Sequence, residues 1–207
     1  MTPAQITGQF TEAVTQAVAL AATVIFVRNI IFTRAMGISA SLFVLRKEHD
    51  HRLFCGVLTL ISTLSCCLVA LFNRSLSRLS GAYYLRPLVY SLAVGVVYVV
   101  VLLAVTRFLP RHIDRLRPMI HLAAFNGAVM GALLLTGSRN YNFFTYLVYG
   151  LSTGIGYTMA SYLISLSFEQ LQSEKIPPAF RGFPITLLYI GVLSLAFYGL
   201  IGHGLST

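Results

Sequence analysis

Charged residues are scarce in this chain. Only 10% of the 207 residues are charged, 57% are hydrophobic, and the mean hydropathy is +0.78. Soluble domains carry about 25% charged residues, so this composition excludes an ordinary soluble domain and predicts an all-α, polytopic membrane protein. A spanning helix needs about 20 apolar residues. The chain therefore has room for six transmembrane helices with short loops, and residues 1–207 are expected to form a single membrane domain.

Carboxylates are the rarest of the charged groups. The six acids are Glu12, Glu48, Asp50, Asp114, Glu169 and Glu174. All of them lie outside the centres of the predicted spans, and no paired carboxylates, Ser/His/Asp set or phosphate-binding loop can be assembled from the sequence. This argues against catalysis by the chain alone and leaves at most a non-catalytic subunit of a larger enzyme.

Cysteine is also rare, with only Cys55, Cys66 and Cys67 in the chain. None of them belongs to a CxxC pair or has a histidine at metal-ligand spacing, so no metal site is predicted. Residues eleven apart on a helix lie about 16 Å apart along its axis, which excludes a bridge between Cys55 and Cys66. We interpret all three as small apolar residues of the helix interior.

The positive charge lies in the loops. The net charge is +9, but the basic residues stand between apolar runs rather than on one face of a soluble domain, which favours membrane orientation and lipid contact over nucleic-acid binding. The loops after the first, third and fifth spans carry nine basic residues, against four in the other two loops. The positive-inside rule then predicts a multi-pass protein of the inner (plasma) membrane with both termini outside the cytoplasm.

The apolar pattern is interrupted by polar residues in two places. Arg28, Asn29 and Arg34 interrupt the first segment. Residues 30–45 are apolar but too short to span alone, which predicts a re-entrant or half-helix segment. Phe125-Asn126-Gly127 interrupts the fourth segment. Broken helices in corresponding positions of two halves are typical of inverted repeats with a site between them. The sequence thus predicts three helices in each half, about 1–109 and 110–207.

The polar residues of the two breaks are candidates for an ion or solute path. They are Arg28, Asn29, Arg34 and Asn126. A structural role is the alternative, because an asparagine can satisfy the backbone groups that a broken helix leaves unpaired and Arg34 can reach an interface or a partner subunit. On a regular helix Arg28 and Arg34, six residues apart, would point to different sides, which argues against a shared ligand clamp.

Small residues recur at a spacing that favours close helix packing. Gly127 and Gly131 are four residues apart, and so are Gly150 and Gly154. Such spacing places small residues on one face, where a neighbouring helix can approach closely.

Three passages resemble a known family. Asn142-Phe143 followed by Tyr149-Gly150, the IPPAFRGFPI loop and the SLAFYGLIG ending are similar to elements of the integral subunits of the Rnf and Nqr complexes, the RnfA/NqrE and RnfE/NqrD family. The resemblance implies six transmembrane helices in two inverted three-helix repeats, each with a half-helix break near the midplane. It also implies that two such subunits of opposite topology pair face to face, each supplying two cysteines to one [2Fe–2S] cluster, which carries electrons between flavin-bearing subunits coupled to Na⁺ or H⁺ movement.

The chain departs from that family at the expected cluster ligands. Ser39 stands at the position of the first cysteine and Gly127 at that of the second. Iron–sulfur clusters need soft thiolate ligands, so this chain is expected to bind no cofactor of its own.

Three functions are compatible with these observations. The first is a membrane subunit of an Rnf/Nqr-type, redox-driven ion-translocating electron transport complex that is not itself a cluster ligand donor. The second is a stand-alone small-solute or ion transporter that reuses the inverted-repeat scaffold. The third is a scaffold that serves assembly without transport.

Overall fold

The computed structural model describes residues 3–45, 48–76, 81–137, 141–173 and 176–201, and the regular secondary structure in these ranges is helical. The α-helices are α1 (Pro3–Ala22), α2 (Ile30–Arg34), α3 (Ile38–Leu45), α4 (Glu48–Leu76), α5 (Ala82–Phe108), α6 (Ile113–Ala124), α7 (Gly127–Gly137), α8 (Phe143–Phe168) and α9 (Phe183–Ile201). A π-helical turn, Thr23–Val27, continues α1. Short 3₁₀ turns occupy Pro110–His112 and Gln170–Gln172.

The first interrupted segment is broken twice. The π-helical turn ends at Arg28, and α2 begins directly after Asn29. A second turn then separates α2 from α3, where Ala35 (φ 55°) and Gly37 (φ 83°) adopt left-handed backbone conformations. The sequence predicts one half-helix over residues 30–45. In the structure these residues form two short helices, because the left-handed backbone conformations of Ala35 and Gly37 end α2 before α3 begins.

The second interrupted segment has a single break. It falls at Phe125 and Asn126, and α6 with its preceding 3₁₀ turn meets α7 at a bend of 43°. Asn126 precedes the first residue of α7, as Asn29 precedes the first residue of α2. Both breaks predicted from the sequence are therefore present as interruptions of the helix.

Within the described ranges, two helices are long and apolar enough to cross a membrane by length and composition. They are the stretches Asp50–Leu76 in α4 and Tyr83–Phe108 in α5, and the bent pair formed by α6 and α7 makes a third if it counts as one span. Shorter apolar helices cover Thr11–Val27 and Phe183–Gly199. The protein is thus an all-helical membrane protein with two to three candidate spans, and the six-span arrangement stays a prediction.

The centre of the bundle is α8, which packs along α4 through glycines. A Cβ on Gly154 would lie 2.6 Å from the Cα atom of Thr59, and one on Gly150 would lie 2.8 Å from the Cα atom of Thr63. The two backbones therefore approach as closely as small residues permit. α8 also contacts the π-helical turn, α2, α3 and α7, so this helix reaches both interrupted segments.

The order of elements repeats along the chain. An interrupted segment is followed by α4 and α5, and a second interrupted segment is followed by α8 and α9. The basic loop residues at 46–47, 78, 139 and 175 and the chain ends at 1–2 and 202–207 lie outside the described residues. The orientation of the two halves and of the termini accordingly stays a prediction.

Candidate functional site at the two helix breaks

Asn29 holds the first break with its side chain wholly buried. Its Nδ2 donates to the carbonyl oxygens of Ile25 (2.9 Å) and Gly156 (2.8 Å). Its Oδ1 accepts from the backbone N–H groups of Ile31 (3.1 Å) and Phe32 (3.4 Å), which are among the unpaired donors at the start of a helix. Asn29 thus caps α2 and ties the first break to α8.

Asn126 has the corresponding place in the second break. Its Oδ1 accepts from the N–H group of Ala128 (2.9 Å) in the first turn of α7, and its Nδ2 donates to the hydroxyl of Tyr157 (3.2 Å) on α8. That hydroxyl donates in turn to the carbonyl oxygen of Gly37 (2.8 Å). Tyr157 therefore connects the second break to the first through two hydrogen bonds.

The two breaks are also in direct contact. A Cβ on Gly37 would lie 2.5 Å from Oδ1 of Asn126 and 2.8 Å from a ring carbon of Tyr157, and one on Gly127 would lie 3.7 Å from the backbone nitrogen of Gly37. Only a glycine fits at position 37, both for its positive φ and for this approach. We call Gly37, Asn126, Gly127 and Tyr157 the junction.

A chain of hydroxyl groups leads away from the junction. Ser41 donates its N–H to the carbonyl oxygen of Gly37 (3.2 Å), and its hydroxyl pairs with that of Ser161 (2.5 Å). Ser161 also bonds Nε2 of His51 (2.9 Å), which lines a cavity of about 770 Å³ between α4 and α8. The buried serines thus link the junction to an open cavity at the beginning of α4.

Of the two positions that match the family's cluster cysteines, Gly127 belongs to the junction and Ser39 lies two residues after Gly37, and neither carries a thiol. Ser39 and Gly127 are both exposed, whereas Cys55 and Cys66 are buried in α4. In the described part of the chain, no group of three or more His, Cys, Asp or Glu residues could hold a metal ion. Because Ser39 and Gly127 carry no thiol, the residues present do not fit a thiolate-ligated cluster.

Arg28 and Arg34 line one cavity of about 430 Å³, together with Val27, Thr33, Leu135, Tyr141 and Tyr149. The prediction that they point to different sides applied to a regular helix, and the helix is interrupted at Asn29, between the two arginines. Both side chains are exposed.

Gly131 allows α7 to pack against the first interrupted segment. A Cβ there would overlap the sulfur of Met36 and lie 3.1 Å from Cδ1 of Ile30. Gly131, Gly150 and Gly154 therefore each lie where a neighbouring segment passes closely.

Tyr157, Gly37 and Gly156 are the site residues that sequence reasoning missed. Gly156 allows the first interrupted segment to pack closely against α8, because a Cβ there would lie 3.2 Å from the Cα atom of Ile25. The available signals were the glycine cluster of α8 and the small-residue run around Gly37. Nothing in the pattern indicated which aromatic residue of α8 would face both breaks.

Comparison with known proteins identifies the family. A family model described as "Rnf-Nqr subunit, membrane protein" matches residues 17–203, which include both breaks, the junction and α8. The chain belongs to the Rnf-Nqr family. The resemblance found in the sequence is thereby confirmed.

Curated members of the Rnf-Nqr family are similar to this chain over most of its length. The A component of the ion-translocating oxidoreductase complex of Edwardsiella ictaluri is 29% identical over 178 residues, covering 86% of this chain and 92% of that protein. The A component of the Na(+)-translocating ferredoxin:NAD(+) oxidoreductase complex of Acetobacterium woodii is 27% identical over 179 residues, covering 86% and 93%. The corresponding component in Yersinia pseudotuberculosis is 29% identical over 178 residues, covering 86% and 92%.

Proposed function

We propose that this chain is a membrane component of an Rnf/Nqr-type complex that couples electron transfer to ion translocation, in the place that the A component has in its relatives. The observation that carries the proposal is the junction of the two breaks within a chain that matches the family model over residues 17–203. The names of its relatives refer to the same kind of complex.

In this proposal the chain crosses the plasma membrane six times, as two inverted halves with both termini outside the cytoplasm. The repeated order of an interrupted segment followed by two helices supports the two halves. The excess of basic residues in the odd-numbered loops supports the orientation. A partner subunit of opposite topology lies against the exposed face at Ser39 and Gly127, and flavin-bearing subunits complete the complex.

The chain does not donate ligands to a [2Fe–2S] cluster in this proposal. Serine and glycine at positions 39 and 127 supply no thiolate, and hydrogen bonds through Tyr157 hold the two breaks together instead. The role of this chain is therefore to hold the helix breaks in place beside its partner and the ion path.

Affinity purification of the tagged chain from its native membrane in mild detergent tests the proposal. Partner proteins are identified by mass spectrometry, and iron is quantified in the same sample. We expect flavin-bearing and cysteine-containing Rnf/Nqr-type subunits in fixed ratio. Recovery of the chain alone, or as a homo-oligomer without iron, would overturn the assignment to a complex.

The double variant Ser39→Cys/Gly127→Cys makes this test sharper. A side chain at residue 127 has room, because its Cβ would meet only the Gly37 nitrogen at ordinary contact distance. If a partner presents two cysteines to this face, the purified complex gains iron relative to wild type. The matched control is Ser39→Ala/Gly127→Ala, which should leave the iron content unchanged.

A stand-alone transporter is the second candidate, and the cavity lined by Arg28 and Arg34 is the observation that favours it. Arg28, Asn29, Arg34 and Asn126 would then line a solute or ion path. Flux through liposomes that contain only the purified chain would support this candidate. Flux only in the presence of the other subunits would exclude it.

A further inference from the structure

We infer that the cavity at Arg28 and Arg34 binds a phosphate-bearing anion. The two arginines stand on either side of the break at Asn29, one before α2 and one at its last residue. Thr33, Tyr141 and Tyr149 supply further polar groups to the same cavity. This inference goes beyond the proposed function, because it holds whether the chain acts in a complex or alone.

The segments that form the cavity contain no residue that could neutralise the two arginines. All the lining residues belong to stretches 13–47 and 115–168, and neither stretch contains an Asp or Glu. Two positive charges therefore share one cavity whose own segments are free of carboxylates.

An uncompensated charge is costly in this part of the protein. In the proposed six-span arrangement the two breaks lie near the midplane of the membrane, and Arg34 lies three residues before Gly37, the residue at which they meet. A charge near the centre of a membrane costs about 2.5–3.5 kcal/mol or more. A bound anion removes this cost for two side chains at once. The physical need for a counter-ion is thus greater here than for the arginines of the loops.

Arginine chemistry points to phosphate among the anions. The planar guanidinium group forms parallel hydrogen bonds with phosphate or carboxylate oxygens, and two such groups suit a ligand with several oxygens around one centre. A cavity of about 430 Å³ is within the usual range for small-ligand sites. The source is either the headgroup of an anionic phospholipid or free inorganic phosphate, and these share the same recognised group.

Thermal unfolding of the full-length chain tests the inference. The midpoint is measured in a neutral detergent with inorganic phosphate added, and separately with phosphatidylglycerol or phosphatidylcholine at equal mole fraction. For wild type we expect a higher midpoint with phosphate, with phosphatidylglycerol, or with both, and a smaller rise with phosphatidylcholine. A response to phosphate identifies a free anion, and a response to phosphatidylglycerol alone identifies a lipid headgroup.

The double variant Arg28→Gln/Arg34→Gln should lose the rise, with an apparent affinity at least tenfold weaker. Arg28→Lys/Arg34→Lys keeps the two charges but removes the planar guanidinium groups. Its response should lie between those of wild type and the glutamine variant. Arg107→Gln, at the exposed end of α5, is the matched control and should respond like wild type.

Native mass spectrometry of wild type and the lysine variant gives a second readout if the glutamine variant fails to fold. We expect retained phosphate or phospholipid adducts on wild type and fewer adducts on the lysine variant. The inference is overturned if no ligand shifts the wild-type midpoint, or if the variants respond like wild type.

Discussion

At each helix break an asparagine side chain pairs with polar groups of the interrupted helix, but the two asparagines form different numbers of hydrogen bonds. Each begins its second helix after an asparagine whose Oδ1 accepts backbone N–H groups, and each asparagine donates from Nδ2 to α8. Asn29 makes four such bonds, two of them to carbonyl oxygens, whereas Asn126 makes two. The first break is held by its own side chain, and the second depends on Tyr157.

The breaks also differ in backbone conformation and charge. The first contains Arg28, Arg34 and two residues with positive φ, while the second is a single interruption without either feature. The first break can therefore bind a ligand beside α2, whereas the second mainly supplies a surface for the first to contact. The difference indicates that similar broken helices in two halves need not have the same function.

Gly37→Ala should have the largest effect, because it disturbs the point at which the two breaks meet. An alanine there adopts an unfavourable φ of 83° and places its Cβ 2.5 Å from Oδ1 of Asn126. Left-handed conformation costs about 1–2 kcal/mol, and overpacking adds about 1–3 kcal/mol. We expect a loss of about 3 kcal/mol in unfolding free energy, measured by denaturant titration in detergent.

Gly182→Ala is the matched control for this substitution. Gly182 has nearly the same φ, 87°, but a Cβ there would have no neighbour within 4 Å among the described residues. Its loss should be limited to the backbone cost of about 1–2 kcal/mol. Equal losses for the two variants would contradict the contact between the breaks.

Asn29→Ala and Asn126→Ala compare the two caps directly. Removing Asn29 leaves the buried carbonyl of Gly156, the part-buried carbonyl of Ile25 and two helix N–H groups without this partner. An unsatisfied buried group costs about 1–3 kcal/mol. We expect a loss of about 3 kcal/mol for Asn29→Ala and about 1.5 kcal/mol for Asn126→Ala. The measurement is the unfolding free energy of each variant, and a larger loss for Asn126→Ala would refute the ranking.

Gly127→Ala should have the smallest effect of the substitutions at the breaks. Its Cβ would meet only the Gly37 nitrogen at 3.7 Å, and alanine restricts the unfolded chain, so we expect a change within about 0.5 kcal/mol. Gly131→Ala, whose Cβ would overlap the Met36 sulfur, should lose about 1 kcal/mol because a flexible side chain must move. The thermal unfolding midpoint should therefore be lower for Gly131→Ala than for Gly127→Ala.

Much of the helical organisation was predictable because apolar periodicity and polar interruptions are local signals. The long helices and the break at Asn126 follow from such patterns. The division of residues 30–45 into α2 and α3 was not predictable, because it depends on the positive φ values of Ala35 and Gly37. Only Gly37 has the residue type that favours such a conformation.

The site was predictable only in part. Sequence reasoning selected Asn29 and Asn126 as residues that could satisfy a broken helix, and their side chains do cap the helices that follow. The shared cavity of Arg28 and Arg34 and the bridge through Tyr157 arise from contacts between segments far apart in sequence. A single sequence carries no signal for such contacts.

The most direct test of the central claim, that Tyr157 joins the two breaks, is a double-mutant cycle between Tyr157→Phe and Asn126→Ala, with unfolding free energy as the readout. The account predicts a coupling of about 1 kcal/mol for this pair, since contacting residues couple by about 0.5–3 kcal/mol. The control cycle of Tyr157→Phe with Asn29→Ala should be additive, because Asn29 bonds the Gly156 carbonyl instead. Additive losses within about 0.5 kcal/mol for Tyr157 and Asn126 would contradict a junction held through this hydroxyl.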